Sequence, residues 1–151
     1  MMKKTIRGIM VAGALTGLLA LAGCSSIDTS AVTSRIESAN GVQAATVQVS
    51  HPGAPWNTKT LVTLFIPDKS EQSIATAIRS ATDAIAGTSA AKHDVSFFVI
   101  PGRPSDYPDL RSTDPELKIP RAVFTGLGLD YTPGTIVALT PADIQRIAAE
   151  K

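Results

Sequence analysis

The chain has 151 residues, with 14 basic and 13 acidic side chains, a net charge of +1 and a single cysteine, Cys24. This length suits one domain with its own core, and one thiol excludes a disulfide within the chain. A near-neutral charge balance argues against a nucleic-acid partner, which would require a basic surface. Composition therefore indicates a single small domain whose partner is not a nucleic acid.

The N-terminus has the three-part organisation of an export signal. Three basic residues lie within the first seven positions, an uncharged run follows over residues 9–21, and small residues precede Cys24. At about 13 residues the run is shorter than the roughly 20 that a membrane-spanning helix needs. We interpret residues 1–23 as a segment that the export machinery recognises and removes.

The sequence Leu21-Ala22-Gly23-Cys24 resembles the lipobox of bacterial lipoproteins, and the resemblance covers residues 1–24 only. It implies that Leu21, Ala22 and Gly23 are read during signal-peptide processing, and that Cys24 carries a diacylglyceryl group and becomes the new N-terminus. Two acyl chains give a stable anchor where one binds marginally. The alternative is an ordinary secretory signal with a cysteine beside its cleavage site by chance.

This interpretation gives a lipoprotein signal peptide (1–23), a lipidated N-terminus with a short tether (24–30) and one α+β domain (31–151). Loss of the signal peptide leaves 11 basic residues against 13 acidic ones, a net charge of −2. The expected location is the extracytoplasmic face of the cell membrane. The expected partners are the membrane, through the lipid, and another envelope protein or a cell-wall component.

The first half of the domain reads as a helix followed by two strands. Val32, Ile36 and Ala39 lie at helical spacings and predict a short helix over residues 30–39. Residues 45–49 alternate between apolar and polar side chains, which predicts a strand with one wet face. Residues 61–66 are apolar except for Thr63 and predict a strand that is central or covered on both faces. The proline-containing stretch 50–58 between them predicts a long hairpin loop.

The strongest helix prediction begins at Asp68, taken as the N-cap with Glu71 as its capping-box partner. It continues to Gly87 and has one apolar stripe, formed by Ile74, Ile78, Ala81 and Ile85. We expect Ile78, in the middle of that stripe, to face the core.

The second half is less regular. Residues 95–99 alternate as a strand, and residues 101–120 form a loop rich in proline and charge that is far longer than the usual 4 to 6 residues. Residues 122–129 predict a weak strand interrupted by two glycines, and residues 135–139 a stronger one. Thr140 and Pro141 then begin a final helix, in which Ile144, Ile147 and Ala148 face inwards.

These elements predict an α+β fold, with a mainly antiparallel sheet of 4–5 strands and helices on one face. The first five elements are similar to a ferredoxin-like fold without its first strand, which residues 135–139 would supply from the other end of the chain. That resemblance concerns topology alone and brings no functional motif.

Candidate chemistry is sparse. His51 and His93 have no carboxylate or serine at motif spacing, so a catalytic arrangement would depend on the fold.

The loop carboxylates Asp106, Asp109, Asp114 and Glu116 lack the spacing of a calcium loop and are interspersed with basic residues. The pair Gly126 and Gly128 lacks the third glycine and the lysine of nucleotide-binding loops, and favours a bend in a strand. We therefore expect no metal, cofactor or catalytic residues.

Trp56 and Tyr107 are the candidate partner-binding residues. Each is an aromatic side chain in a proline-rich loop, and such residues bury a large area at low entropic cost when they bind. The alternative for Trp56 is a structural lid that folds back onto the sheet. The same two alternatives, partner contact and structural lid, apply to Tyr107.

The sequence favours a lipid-anchored, non-enzymatic interaction module of the cell envelope, which docks its sheet or its two long loops onto another component. The alternative is an extracytoplasmic enzyme or ligand-binding protein that pairs His51 or His93 with Asp106 or Asp109. A histidine within hydrogen-bond reach of a carboxylate in a concave pocket would favour that alternative.

Overall fold

The structure, a computed structural model, describes residues 26–109 and 116–150. The helices are α1 (Thr29–Glu37), α2 (Glu71–Ala86), α3 (Arg121–Gly126) and α4 (Pro141–Ala149), and the strands are β1 (Ala44–Ser50), β2 (Lys59–Ile66), β3 (Asp94–Pro101) and β4 (Ile136–Leu139). Short 3₁₀ helices cover Ser89–Lys92 and Pro104–Asp106. The predicted α+β class is confirmed.

The sheet has the order β1-β2-β3-β4. β1 and β2 form the predicted antiparallel hairpin, in which Val47 lies opposite Val62. β2 and β3 are parallel neighbours connected through α2, and β4 pairs antiparallel with the outer edge of β3. The apolar strand at residues 61–66 is therefore central in the sheet, as its composition predicted.

The predicted ferredoxin-like arrangement is wrong in one respect. It would insert the strand of residues 135–139 between β2 and β3, because that fold splits its βαβ units around a further strand. In the structure β2 and β3 hydrogen-bond directly, and β4 lies at the edge. The 16-residue helix α2 spans a direct parallel crossover, so β3 docks on β2 and leaves no gap for a third strand.

The helices pack against a single face of the sheet. One core cluster joins Val32 and Ile36 of α1, the stripe of α2, and Ile144 and Ile147 of α4 to alternate residues of the strands. On β2 and β3 these strand residues are Val62, Leu64, Ile66, Val95, Phe97 and Val99. Ile78 is 0% exposed, so its predicted core position is confirmed.

Two helix starts were predicted from capping residues, with different outcomes. At α4 the Thr140 side chain accepts from the Asp143 N–H at 3.3 Å, and Asp143 accepts from the Thr140 N–H at 3.0 Å, which confirms the predicted start. At α2 the predicted N-cap, Asp68, is wrong. Ser70 caps the helix, while Asp68 accepts from the Ser70 N–H at 2.8 Å in the turn before it. Aspartate and serine are both favoured as N-caps. Because Asp68 and Ser70 form a turn, Ser70 is the residue directly before the first residue of the helix.

Residues 121–126 form helix α3 and not the predicted weak strand. Val123 and Phe124 are buried in the core, and Gly128 follows the helix with φ at +65°, a conformation that favours glycine. Arg146 donates to the carbonyl oxygens of Leu127 and Gly128 at 3.0 and 3.2 Å. The glycines therefore end a helix whose free carbonyls are satisfied by a guanidinium group.

Helix α1 begins inside the predicted tether of residues 24–30. Asp28 caps it by accepting from the Ala31 N–H at 3.0 Å, and Ile27 packs against the core. The folded domain therefore begins at about Ile27, which shortens the link to Cys24.

Candidate functional site

The loop that joins β1 to β2 presents Trp56 to solvent. Asn57 fixes its conformation, because its N–H donates to the Ala54 carbonyl at 3.0 Å and its side chain donates to the Pro52 carbonyl at 2.8 Å. Trp56 is 85% exposed, which is unusual for the largest apolar side chain. The indole does not cover the sheet, so the lid alternative does not describe its position.

Tyr107 has a different environment. It is half-buried, and its hydroxyl donates to the Pro101 carbonyl within the loop that follows β3. The same loop is held by the Arg103 N–H, which donates to Asp106 at 2.7 Å. The ring lies against Gly102, whose φ of +102° favours glycine. Tyr107 therefore stabilises its own loop.

The two aromatic residues lie at opposite ends of the sheet. The loop of residues 51–58 adjoins the start of β2, and the start of the parallel strand β3 lies beside it, since Lys59 pairs with Asp94. We call this the hairpin end. Residues 102–109 follow the other end of β3, which we call the far end. At about 3.3 Å per residue β3 separates the two ends by roughly 23 Å, so Trp56 and Tyr107 do not form one surface.

The same separation applies to the proposed histidine and carboxylate pairs. His51 directly follows β1 and His93 directly precedes β3, so both histidines lie at the hairpin end. Asp106 and Asp109 follow β3 and lie at the far end. His51 Nδ1 is 3.2 Å from the Thr58 hydroxyl, within its own loop. The fold therefore does not bring either histidine within hydrogen-bond reach of these carboxylates, and the geometry on which the enzyme alternative depends is not formed.

Among the described residues, the acidic side chains after β3 do not form a metal-binding cluster. Asp114 lies outside the described residues, and within residues 26–109 and 116–150 no three His, Cys, Asp or Glu side chains are arranged as metal ligands. Glu116 accepts from the Thr135 hydroxyl at 3.1 Å. Partial burial raises the pKa of the Glu116 carboxyl above its usual value, although the hydrogen bond from Thr135 opposes that shift.

A surface groove of about 550 Å³ lies among α1, α2 and α4, and Arg79 is its most constrained charged group. Arg79 donates to the Gly126 carbonyl at 2.6 Å and to Glu150 at 3.2 Å. Its guanidinium group therefore holds the helices together and is already engaged.

The second face of the sheet is the one that the helices leave free, and the sequence analysis named the sheet as a possible docking surface. Strand register puts fourteen residues on this face, away from the helices. We call the eight in its two middle rows, between the Lys59 and Asp94 pair at one end and the Phe65 and Ile100 pair at the other, the open face: Thr46, Gln48, Leu61, Thr63, Ser96, Phe98, Ile136 and Ala138. Leu61 and Phe98 are half-buried, and Ile136 is 41% exposed. On the two central strands, Leu61 and Phe98 therefore alternate with Thr63 and Ser96, and Ile136 lies beside Phe98 on the edge strand β4.

The open face ends before the far end of the sheet. Phe65 and Ile100, which pair across β2 and β3, point to the same side as Phe98 but are each only 2% exposed. The solvent-facing part is thus confined to the middle and the hairpin end. Its eight side chains carry no charge, and charges at the edge are supplied by the paired residues Lys59 and Asp94.

The lipidation residue Cys24 and the processing residues Leu21, Ala22 and Gly23 lie outside the described residues, as does the whole predicted signal peptide. Within the part of the chain that the structure describes, no helix combines the length and apolar character needed to cross a bilayer.

These observations define a small α+β domain with a four-stranded mixed sheet, helices on one face and a second face that the helices leave free. The sequence matches no protein-family model, and searches of curated proteins and of solved structures also give no match. The surfaces of the domain are therefore the observations from which a function can be inferred.

Proposed function

We propose that the protein is a lipid-anchored, non-enzymatic interaction module at the extracytoplasmic face of the cell membrane, whose open face binds another envelope protein. The proposal that the open face binds a protein rests on the exposure of apolar side chains on the uncovered side of the sheet. The anchoring part rests on the resemblance of Leu21-Ala22-Gly23-Cys24 to a lipobox.

The character of the open face favours a protein partner. Protein interfaces have an apolar centre from which charged residues are depleted and a polar rim that can hydrogen-bond or hold water. Leu61 and Phe98 on the central strands, with Ile136 beside Phe98 on β4, would supply the apolar contacts, and Thr46 and Gln48, both exposed on the edge strand β1, would contribute to the rim.

The shape of the face supports the same conclusion. Strands of a sheet hold their side chains in fixed rows, so the face is organised before binding and pays little ordering entropy. Phe98 and Ile136, which lie directly opposite each other on β3 and β4, are the residues whose removal should weaken binding most.

A pull-down of the full-length, lipidated protein from its own membranes tests this proposal. Ile136→Lys places a charge on the open face beside Phe98, and Gln145→Lys places the same charge on the exposed surface of α4 as the matched control. We expect wild type and Gln145→Lys to recover the same partner and Ile136→Lys to lose it. Equal recovery by all three proteins would show that the open face is not the binding surface.

A further inference from the structure

The point where the chain enters the fold lies at the same end of the domain as the Trp56 loop. Helix α2 runs from the far end to the hairpin end, because it follows β2 and precedes the parallel strand β3. Gly41, just after α1, lies against Ala77 in the middle of α2, whereas Arg35 within α1 reaches Gly87 at the end of α2. Helix α1 therefore begins near the hairpin end, at Thr29, and runs towards the far end.

The contact between α1 and β1 gives the same direction independently. Glu37, the last residue of α1, accepts from the N–H of Ala45 at 3.4 Å, and Ala45 lies at the start of β1, at the far end. Arg35 reaches Gly87 at the hairpin end of α2, and Thr29 precedes Arg35 by six residues, so the start of α1 lies about 9 Å further along the helix axis in that direction. The side chains of Val32 and Ile36 keep that helix packed along the sheet.

The length of chain before α1 limits how far the domain can lie from its lipid group. Cys24 precedes Ile27, where the fold begins, by only three residues, which span at most roughly 11 Å when fully extended. The far end of the sheet is roughly 23 Å beyond the hairpin end. A lipid group on Cys24 therefore keeps the hairpin end next to the lipid surface and directs the far end away from it.

The loop at the hairpin end has the composition of a membrane contact. Residues 51–58 contain no carboxylate, two prolines and the single tryptophan of the chain. Indole rings favour the boundary between water and lipid headgroups, because the ring is apolar and its N–H can still hydrogen-bond. The hydrogen bonds of Asn57 hold the loop in a fixed shape, so Trp56 can enter that boundary without further ordering.

We propose that Trp56 is a second membrane contact, which enters the headgroup region of the bilayer that holds the lipid on Cys24. This inference rests on the proposed lipid anchoring. It assigns the Trp56 loop to the lipid surface and leaves the open face in the middle of the sheet accessible to a protein partner.

Fluorescence of the full-length, lipidated protein in phospholipid vesicles tests the contact, because Trp56 is the only tryptophan. Flotation of the protein with the vesicles is measured first and reports anchoring. The emission of Trp56 is then compared between ordinary vesicles and vesicles whose acyl chains are brominated near the headgroups. We expect a shift to shorter wavelength relative to the delipidated protein and a large loss of emission with the brominated lipid.

A matched control moves the tryptophan to the far end. The variant Trp56→Phe with Ser105→Trp places an indole at an exposed residue of the far end, and its emission should be unaffected by the brominated lipid. A protein that floats but shows equal, weak quenching at both positions overturns the membrane contact and leaves the anchoring intact. A protein that does not float overturns the anchoring and this inference together.

Discussion

Phe98 and Ile136 lie directly opposite each other on the antiparallel strands β3 and β4, on the face of the sheet that the helices leave uncovered. The next residue of β4, Val137, points to the other face and is fully buried. Adjacent positions of one strand therefore have opposite environments, which makes them a matched pair for testing whether the open face is free in the isolated protein.

Changing Ile136→Thr should alter the free energy of unfolding by less than about 1 kcal/mol, the range of a single cross-strand pair. Val137→Thr should cost about 1–3 kcal/mol, because it buries a hydroxyl without a partner. Both substitutions keep a β-branched side chain, so strand propensity is matched. Urea unfolding followed by circular dichroism measures both, and equal losses would mean that the open face is packed within the protein.

Ile78→Ala should destabilise the domain by about 2–5 kcal/mol, since it opens a cavity at the centre of the core. That loss is a large fraction of the stability of a small domain. Gln72→Ala on the exposed side of the same helix is the control and should change little. An unchanged urea midpoint for Ile78→Ala would contradict the packing of α2 on the sheet.

Thr60→Val should stabilise the protein by about 1 kcal/mol. Thr60 is 0% exposed, and its hydroxyl has no hydrogen-bond partner, so valine removes an unsatisfied polar group without changing the shape of the side chain. Thr82 is equally buried but donates to the Ile78 carbonyl at 2.7 Å, so Thr82→Val should give no gain. In thermal unfolding, the midpoint of Thr60→Val should rise above that of wild type, and the midpoint of Thr82→Val should not. A midpoint for Thr60→Val that does not rise would contradict the prediction.

Asp143→Ala should cost about 0.5–1 kcal/mol at neutral pH, because it removes half of the capping box of α4. The hydrogen bond from the Thr140 hydroxyl, above all, lowers the pKa of the Asp143 carboxyl in the folded state. Its stabilisation is therefore present above the ordinary pKa of 3.8 and is lost as pH falls through the lowered value. Unfolding curves from pH 7 downwards should show wild type and variant converging; a constant difference would contradict this role.

The sequence predicted best where a local pattern was long or strongly capped. The stripe of α2 repeats from Ile74 to Ile85, about three turns, and Thr140 with Pro141 marks the start of α4 through contacts within three residues. Helix α3 was missed because six residues are too few for a reliable period, and Val123 with Phe124 beside two glycines reads equally well as a strand.

The candidate surfaces depended on contacts between distant parts of the chain. The sequence identified Trp56 as an aromatic loop residue, but its exposure follows from how Asn57 folds the loop. The open face could not be predicted, because Phe98 meets Ile136 only after β4 has docked at the outer edge of β3. The order of strands in a sheet is set by such long-range pairing and not by local periodicity.

The measurement that tests the account most directly is lipid attachment at Cys24. Cells that produce wild-type protein or Cys24→Ala are labelled with palmitate and separated into membrane and soluble fractions. We predict that wild type is labelled and found with the membrane, and that Cys24→Ala is unlabelled, leaves the membrane fraction and keeps the circular dichroism spectrum of a folded domain. Labelling and membrane association of Cys24→Ala at the level of wild type would contradict the lipid anchor and the functional proposal that depends on it.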